Sequence, residues 1–220
     1  LGFVAARAGG TSLQELRARE VFEPLGMKDA GFSIPPEKRE RAVVGYTSSG
    51  PGDFQRLRMD GQSASAAPAF ASGGQGLVST ADDYLTFARM LLGAGEVDGV
   101  RLLKPETVAL MTTNRLSAAQ RAEAKTLGMP VFAAGNGFGL GVAVTIDPAK
   151  AAPIRGKGGL GTVSWPGAYG GWWQADPTDR SVMILLQHNM VDPEGLSEGH
   201  GLAGYGAILE THALGTALKG

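Results

Sequence analysis

The sequence predicts an α+β fold in which an antiparallel sheet carries a terminal helix packed on it and follows a region of helices and loops. Helical periodicity and loop-forming residues occupy positions 1–135. Strand-like segments joined by turn residues follow from position 136, and a helical pattern closes the chain at 201–220. Helices segregated from consecutive strands are typical of α+β proteins, whereas regular alternation would indicate α/β.

The first elements are marked by capping signals. Residues 1–8 are predicted to be helical, and two glycines end this helix. Ser12 and Glu15 have the spacing of a capping box, in which each side chain bonds a free backbone N–H. A second helix is therefore expected from this point to about Phe22. Residues 33–75, rich in Pro, Gly, Ser and Ala, are expected to form long loops with one short strand at 43–46.

The clearest helix covers residues 81–92. Thr80 is a suitable N-cap, and Gly93 follows the last apolar position. The apolar side chains recur at helical spacing and predict a buried stripe. This stripe consists of Tyr84, Phe87, Ala88, Leu91 and Leu92.

Two short helices are predicted next. Pro105 is placed at the first position of a helix that runs to about Thr112. A second capping box, formed by Ser117 and Gln120, begins another helix that extends to about Lys125.

Four segments then have the composition of strands: 138–147, 161–165, 169–176 and 181–188. The Asp-Pro-Thr-Asp sequence at 176–179 predicts a turn that joins the last two as an antiparallel hairpin. The expected arrangement is an antiparallel meander.

Overall composition excludes several classes of function. The 220 residues carry a formal net charge of −1, so nucleic acid and anionic membranes are not expected partners. Apolar runs are shorter than the roughly 20 residues of a membrane span. The chain has no cysteine, and its three histidines lack metal-ligand spacing, so neither a metal nor another cofactor is expected.

Complete catalytic signatures are absent from the chain. It contains no Gly-x-Ser-x-Gly, no Ser-x-x-Lys and no His-Glu-x-x-His. The Gly-x-Gly-x-x-Gly spacing at 156–161 precedes a strand-like segment, whereas a dinucleotide site requires a helix there. His188 is expected to end a strand, and His212 to lie on the terminal helix.

One stretch combines very large and very small residues. Residues 161–173 contain all three tryptophans together with Tyr169 and several glycines. Glycine inside a strand pattern often marks a close approach by a ligand. The alternative is an aromatic hairpin that packs on the terminal helix. The stretch is therefore a candidate ligand-facing strand.

Four segments, in this order along the chain, resemble the later portion of the serine β-lactamase-like hydrolases. They are VFEPLGMKDAGF (21–32), the segment at 71–114, GFGLGVAV (137–144) and WPGAYGGWWQADP (165–177). This family includes class C β-lactamases, D-alanyl-D-alanine peptidases and family VIII carboxylesterases. The resemblance implies a β-lactamase/penicillin-binding-protein-like transpeptidase fold.

The resemblance also assigns site residues. The family's third motif is commonly Lys-Thr-Gly, and its place in this chain is taken by Trp165, Pro166 and Gly167. The sequence Lys157-Gly158-Gly159 is not assigned to this motif, because it lies too far before the turn at 176–179. The backbone N–H of Ala168 is then an oxyanion-hole donor. Proline at the middle position departs from the pattern and argues against β-lactam carboxylate recognition. The implied catalytic residues are Trp165, Gly167 and Ala168, and the implied substrate-binding residues are Pro166, Tyr169, Gly170 and Trp172.

Two family motifs, Ser-x-x-Lys and Tyr-x-Asn, precede the matched region in the family and are not found in this chain. The resemblance thus implies that residues 1–220 are the carboxy-terminal portion of one domain, divided into 1–135 and 136–220. The missing amino-terminal portion is an expected partner, and an ester or amide is the expected substrate. A carboxylesterase inactive without that portion is favoured. A β-lactamase, a peptidase and a non-catalytic binding relative remain alternatives, and the compartment stays open.

Overall fold

The computed structural model describes residues 1–50, 53–57, 68–126, 129–132, 134–151 and 158–191. The predicted closing helix at 201–220 lies outside these residues. Within the described ranges, no helix is both long and apolar enough to cross a bilayer.

The predicted amino-terminal helices are confirmed. Helix α1 covers Gly2–Gly9, and α2 covers Leu13–Arg17. The Ser12 side chain accepts a hydrogen bond from the N–H of Glu15, which completes the expected capping box. A π-helical turn at Ala18–Phe22 then continues α2 to the predicted end.

Three further helices also begin where their caps predict. Helix α3 covers Ala81–Leu92, α4 covers Pro105–Met111 and α5 covers Ala118–Glu123. The Thr80 hydroxyl accepts a hydrogen bond from the N–H of Asp83 at 3.3 Å. The starts of α3 and α5 are fixed by a side-chain cap, whereas α4 has no capping side chain and begins at Pro105, a residue favoured at the first helical position.

The prediction of long loops over 33–75 is wrong in two places. A 3-10 helix covers Pro36–Arg41, and strands β1 (Tyr46–Gly50) and β2 (Asp53–Arg56) form a hairpin. The strand expected at 43–46 overlaps β1 only at its first residue. These strands are mostly polar and lack apolar alternation, so no periodic signal marked them.

Two very short hairpins were not predicted either. They are β3 (Glu96–Val97) with β4 (Val100–Arg101), and β5 (Lys125–Thr126) with β6 (Met129–Pro130). A two-residue strand is too short to produce a recognisable alternation.

The main sheet is the predicted antiparallel meander. Its strands are β7 (Asn136–Phe138), β8 (Ala143–Thr145), β9 (Val163–Pro166), β10 (Trp172–Asp176) and β11 (Ser181–Leu185), in the spatial order β11-β10-β9-β8-β7.

The single strand predicted at 138–147 is wrong, because β7 and β8 are separate strands of one hairpin. The N–H of Gly139 donates to the carbonyl of Val142 at 2.8 Å, and Gly141 has φ +93°. Two glycines thus supply a turn inside an apolar run.

Helix α3 packs on β10 and β11 and forms the core with them. The ring centroids of Tyr84 and Trp173 lie 5.4 Å apart in an edge contact. Burial raises the pKa of Tyr84 to about 12, so its phenol stays neutral. The predicted stripe of α3 faces this core, but Met90, which is fully buried, was missed.

A second sheet lies beside the end of β11. Strand β12 (Asn189–Val191) pairs in parallel with β1, giving the order β12-β1-β2. The strand predicted at 181–188 therefore ends early, and the chain crosses from one sheet to the other between residues 185 and 189.

Candidate active site

The candidate site is built on the loop between β9 and β10, residues 167–171, called here the hairpin tip. The N–H of Gly167 donates to the carbonyl of Gly171 at 2.7 Å, and the N–H of Gly170 donates to the carbonyl of Gly167 at 3.0 Å. Gly170 has φ +85°, a conformation that favours glycine. These glycines close a tight turn directly after the proposed third motif.

Trp165 is the large apolar side chain that this region exposes. It is 37% exposed, whereas its cross-strand partner Trp173 is 8% exposed. Directly paired residues share a face of the sheet, so Trp165 projects from the face that carries α3. Its ring meets the edge of Phe138 at 5.0 Å, and Phe132 lies 5.9 Å from Phe138. Three aromatic rings are therefore in successive contact, and Trp165 connects this cluster to the strand that leads into the tip.

The backbone N–H of Ala168 is available for a ligand. Ala168 is exposed, and across the described part of the chain its N–H has no hydrogen-bond partner. The neighbouring amides of Gly167 and Gly170 are both used in the turn. Within the described residues the N–H groups of Tyr169 and Gly171 are also without a partner, but both residues are half-buried, so Ala168 carries the exposed donor of the turn.

Pro166 and Trp172 are cross-strand partners on the opposite face from Trp165. Trp172 is 3% exposed, and its Nε1 donates to Oε1 of Gln174 at 3.3 Å. This burial gives Trp172 a packing role, and its contact with substrate stays a prediction. Pro166 is half-buried and Gly170 is buried, so the exposed part of the predicted set is Trp165, Gly167 and Ala168.

Tyr169 contacts a residue that the sequence did not link to it. Its ring and that of His188 meet edge-on with centroids 4.3 Å apart. Burial lowers the pKa of His188, which favours the neutral imidazole. Nearby, Nε2 of Gln187 and Oδ1 of Asn189 are buried and have no hydrogen-bond partner among the described residues. No motif signals these contacts, because they join residues about twenty positions apart.

The Asp176 carboxylate links the turn before β9 to the turn after β10 by hydrogen bonds. Its carboxylate accepts hydrogen bonds from the N–H of Gly159 at 2.6 Å and from the N–H and Oγ1 of Thr178 at 2.8 and 2.7 Å. Burial raises the pKa of Asp176, but these hydrogen bonds outweigh burial and hold it below its usual value. Gly159, part of the sequence resembling a nucleotide motif, thus serves in a structural turn. Lys157 lies outside the described residues.

Replacing Asp176 with alanine is expected to lower the free energy of unfolding by about 3 kcal/mol, because the N–H of Gly159 and the N–H and hydroxyl of Thr178 lose a charged acceptor. The lowered pKa means that the contribution of Asp176 is complete above its ordinary value of 3.8 and is lost as pH falls through the folded-state pKa. Urea unfolding at pH 7 and pH 3 measures both effects. The unsubstituted protein and Asp176→Ala should differ less in free energy of unfolding at pH 3 than at pH 7. The same difference at both pH values would contradict a lowered pKa for Asp176.

The site contains no metal centre in the part of the chain that can be described. No group of three or more His, Asp or Glu side chains there is arranged to hold an ion. The site presents an exposed indole, an accessible backbone donor and a cluster of aromatic rings. These features suit a neutral carbonyl compound whose oxygen acquires negative charge during reaction.

Comparison with known proteins agrees with the resemblance seen in the sequence. The family model described as Beta-lactamase matches residues 1–204. Protein Rv1367c of Mycobacterium tuberculosis is 48% identical over 191 residues, covering 86% of this chain and 46% of that protein. Esterase EstB of Burkholderia gladioli is 33% identical over 216 residues, covering 90% of this chain and 49% of that protein. The chain thus spans about half the length of these relatives.

A solved structure has the same fold. EstCE1, described as a hydrolase with promiscuous acyltransferase activity, superposes with a TM-score of 0.70 at 25% identity, covering 92% of this chain and 52% of that one. The mixed helices and strands match the fold of β-lactamases and penicillin-binding proteins, which confirms the predicted fold class.

Proposed function

The chain belongs to the beta-lactamase family, and on that basis we propose that the protein containing it is a serine hydrolase that cleaves carboxylic esters through an acyl-enzyme. The observation that carries this proposal is the exposed N–H of Ala168, which has no hydrogen-bond partner among the described residues and lies three residues after the exposed Trp165. A preorganised N–H donor aimed at a developing oxyanion contributes about 2.7–4 kcal/mol to transition-state stabilisation. The hydrolase relatives support this assignment.

An ester is a better substrate for this site than a β-lactam. Recognition of a β-lactam carboxylate uses a cation, and the third motif here begins with Trp165 where the common family pattern has lysine. Pro166 also removes a hydroxyl and a backbone donor from the middle position. The neutral indole and proline favour an uncharged substrate.

The acyl group is proposed to be apolar. The rings of Trp165, Phe138 and Phe132 are in successive contact, and Trp165 lies on the strand that leads into the hairpin tip. Apolar surface binds apolar groups with about 25 cal/mol per Å² of area removed from water. An alkyl or aromatic acyl chain placed on Trp165 would bring its carbonyl near the hairpin tip.

The nucleophile is proposed to come from outside these 220 residues. No Ser-x-x-Lys and no Tyr-x-Asn occurs in them. The proposed partner is therefore the portion of the domain that would carry the serine, the lysine and the tyrosine, with Ala168 and the serine's own amide forming the oxyanion hole.

The 220-residue chain alone is expected to give no burst of nitrophenol from a nitrophenyl ester, because it lacks an activated nucleophile. The full-length protein is expected to give a burst followed by slower turnover. Stopped-flow absorbance measures both, with the serine-to-alanine variant of the Ser-x-x-Lys motif as the control.

Each outcome of that experiment is informative. A burst from the 220-residue chain would place a nucleophile within it and contradict the proposal that the nucleophile lies outside these residues. A full-length protein that binds the ester without releasing nitrophenol would identify a non-catalytic binding relative. Hydrolysis of a β-lactam in preference to the ester would reverse the substrate assignment.

A further inference from the structure

The hairpin tip is held from outside its own hairpin by residues 187–189, called here the clamp segment. This segment connects β11 of the main sheet to β12 of the second sheet. The N–H of Tyr46 donates to the carbonyl of His188 at 2.8 Å, so the clamp segment is anchored to β1. It therefore provides a fixed surface that is independent of the tip.

Three contacts join the clamp segment to the tip. The N–H of Asn189 donates to the carbonyl of Tyr169 at 2.9 Å, and the ring of His188 meets that of Tyr169 edge-on. Gly170 lies against the amide of Gln187, since a Cβ on Gly170 would come only 1.9 Å from Nε2. The clamp segment thus contacts Tyr169 and Gly170 by backbone, ring and side-chain interactions.

The position of His188 is itself restrained. A Cβ on Gly45 would lie 3.5 Å from Nε2 of the His188 ring, which is ordinary van der Waals contact. The imidazole is therefore packed between Tyr169 and the backbone that leads into β1. A neutral ring in this position acts through its shape.

The tip needs external support because glycines flank it. Gly170 has φ +85°, and glycine restricts the backbone less than any other residue, so contacts from outside add restraint to the hydrogen bonds within the tip. The carbonyl that Asn189 binds belongs to the peptide group between Tyr169 and Gly170, and the N–H of that same group donates to the carbonyl of Gly167. The carbonyl of Gly167 shares a peptide group with the N–H of Ala168. Fixing Tyr169 therefore also restricts the orientation of Ala168.

We propose that the clamp segment preorganises the oxyanion donor, and that His188 is a positioning residue acting through Tyr169 on the N–H of Ala168. The inference rests on the proposed hydrolase function. A donor held in place before reaction contributes to the transition state and not to ground-state binding. Loss of the His188 ring should therefore lower kcat and leave KM nearly unchanged.

The test compares His188→Ala with His188→Phe in the full-length protein. His188→Ala is expected to lower kcat for a nitrophenyl ester roughly tenfold or more, with KM changed less than about twofold. His188→Phe, which keeps a ring against Tyr169, is expected to restore most of kcat. Val182→Ala is the matched control, because Val182 packs against the core from β11; it should lower thermal stability without lowering kcat.

Amide hydrogen exchange tests the clamp without relying on activity. The N–H groups of Gly167 and Gly170 are hydrogen-bonded within the tip, and both are expected to exchange faster in His188→Ala than in the unsubstituted protein. Amides of β7, at the edge of the sheet opposite β11, should be unchanged. Faster exchange confined to the tip supports the clamp, and unchanged exchange at the tip overturns it.

The remaining outcomes separate the two proposals. A folded His188→Ala protein with unchanged kcat, or with a raised KM alone, overturns the positioning role of His188 while the hydrolase function stands. An unsubstituted full-length protein that hydrolyses no ester overturns the proposed function and the catalytic part of this inference. If kcat of His188→Phe is as low as that of His188→Ala, His188 does not position Tyr169 through the shape of its ring.

Discussion

Replacing Ala168 with proline is expected to lower kcat for ester hydrolysis about 10²–10³-fold in the full-length protein, because proline removes one oxyanion donor. The turn tolerates proline at this place. The N–H of Gly170 donates to the carbonyl of Gly167, which makes Ala168 the second residue of the turn, where proline is favoured. Ala168 is also absent from the residues with positive φ. Steady-state kinetics and thermal unfolding measure the two consequences.

The control for this substitution is Ala168→Ser, which keeps the backbone N–H. Its kcat is expected to stay within about threefold of the unsubstituted value, because the backbone N–H at position 168, and not the side chain, stabilises the transition state. Ala168→Pro should leave the melting temperature nearly unchanged, because the N–H of Ala168 has no partner to lose among the described residues. Equal kcat values for the proline and serine variants would remove Ala168 from the oxyanion hole.

Replacing Trp173 with alanine is expected to lower the free energy of unfolding by about 3–5 kcal/mol. Trp173 is 8% exposed and lies between β10 and α3, where its ring contacts Tyr84. Removing it leaves a large cavity in the core and also breaks the aromatic pair, which contributes a further 0.5–1.5 kcal/mol in typical cases. Equilibrium denaturation measures the loss.

The cross-strand partner of Trp173 supplies the comparison. Trp165 pairs directly with Trp173 but is 37% exposed. Trp165→Ala is expected to change stability by less than about 1.5 kcal/mol while weakening the binding of apolar esters. The stability of Trp173→Phe should lie between those of Trp165→Ala and Trp173→Ala, because phenylalanine keeps a ring near Tyr84. A larger loss of stability for Trp165→Ala than for Trp173→Ala would contradict the assignment of Trp173 to the core and of Trp165 to the candidate site.

Local chemistry explains which helices were predictable. Ser12, Thr80 and Ser117 each accept a hydrogen bond from an N–H three residues later. Such a cap is formed within one turn of chain, so its signal is complete in the sequence. The Asp176 turn was predictable for the same reason, since Thr178 donates to a carboxylate two residues away.

Pairing between distant segments explains the errors. Strand β1 consists of Tyr-Thr-Ser-Ser-Gly, and its parallel partner β12 lies more than 140 positions later. Neither strand has an apolar alternation that would identify it alone. The separation of β7 and β8 depends on the turn at Gly139, whose Cβ would come 1.8 Å from the carbonyl oxygen of Met111. That contact exists only when the chain is folded.

The sequence by itself determined the helix starts, the antiparallel meander, the family resemblance and the location of the candidate site at 165–170. These features depend on caps, turns and periodicity, which act over a few residues. Only the tertiary structure decided that Trp165 is exposed while Trp172 and Trp173 are buried, and that His188 contacts Tyr169. The physical reason is that three tryptophans of equal intrinsic hydrophobicity differ only in what packs against them. Neighbouring strands, helix α3 and the clamp segment supply that difference.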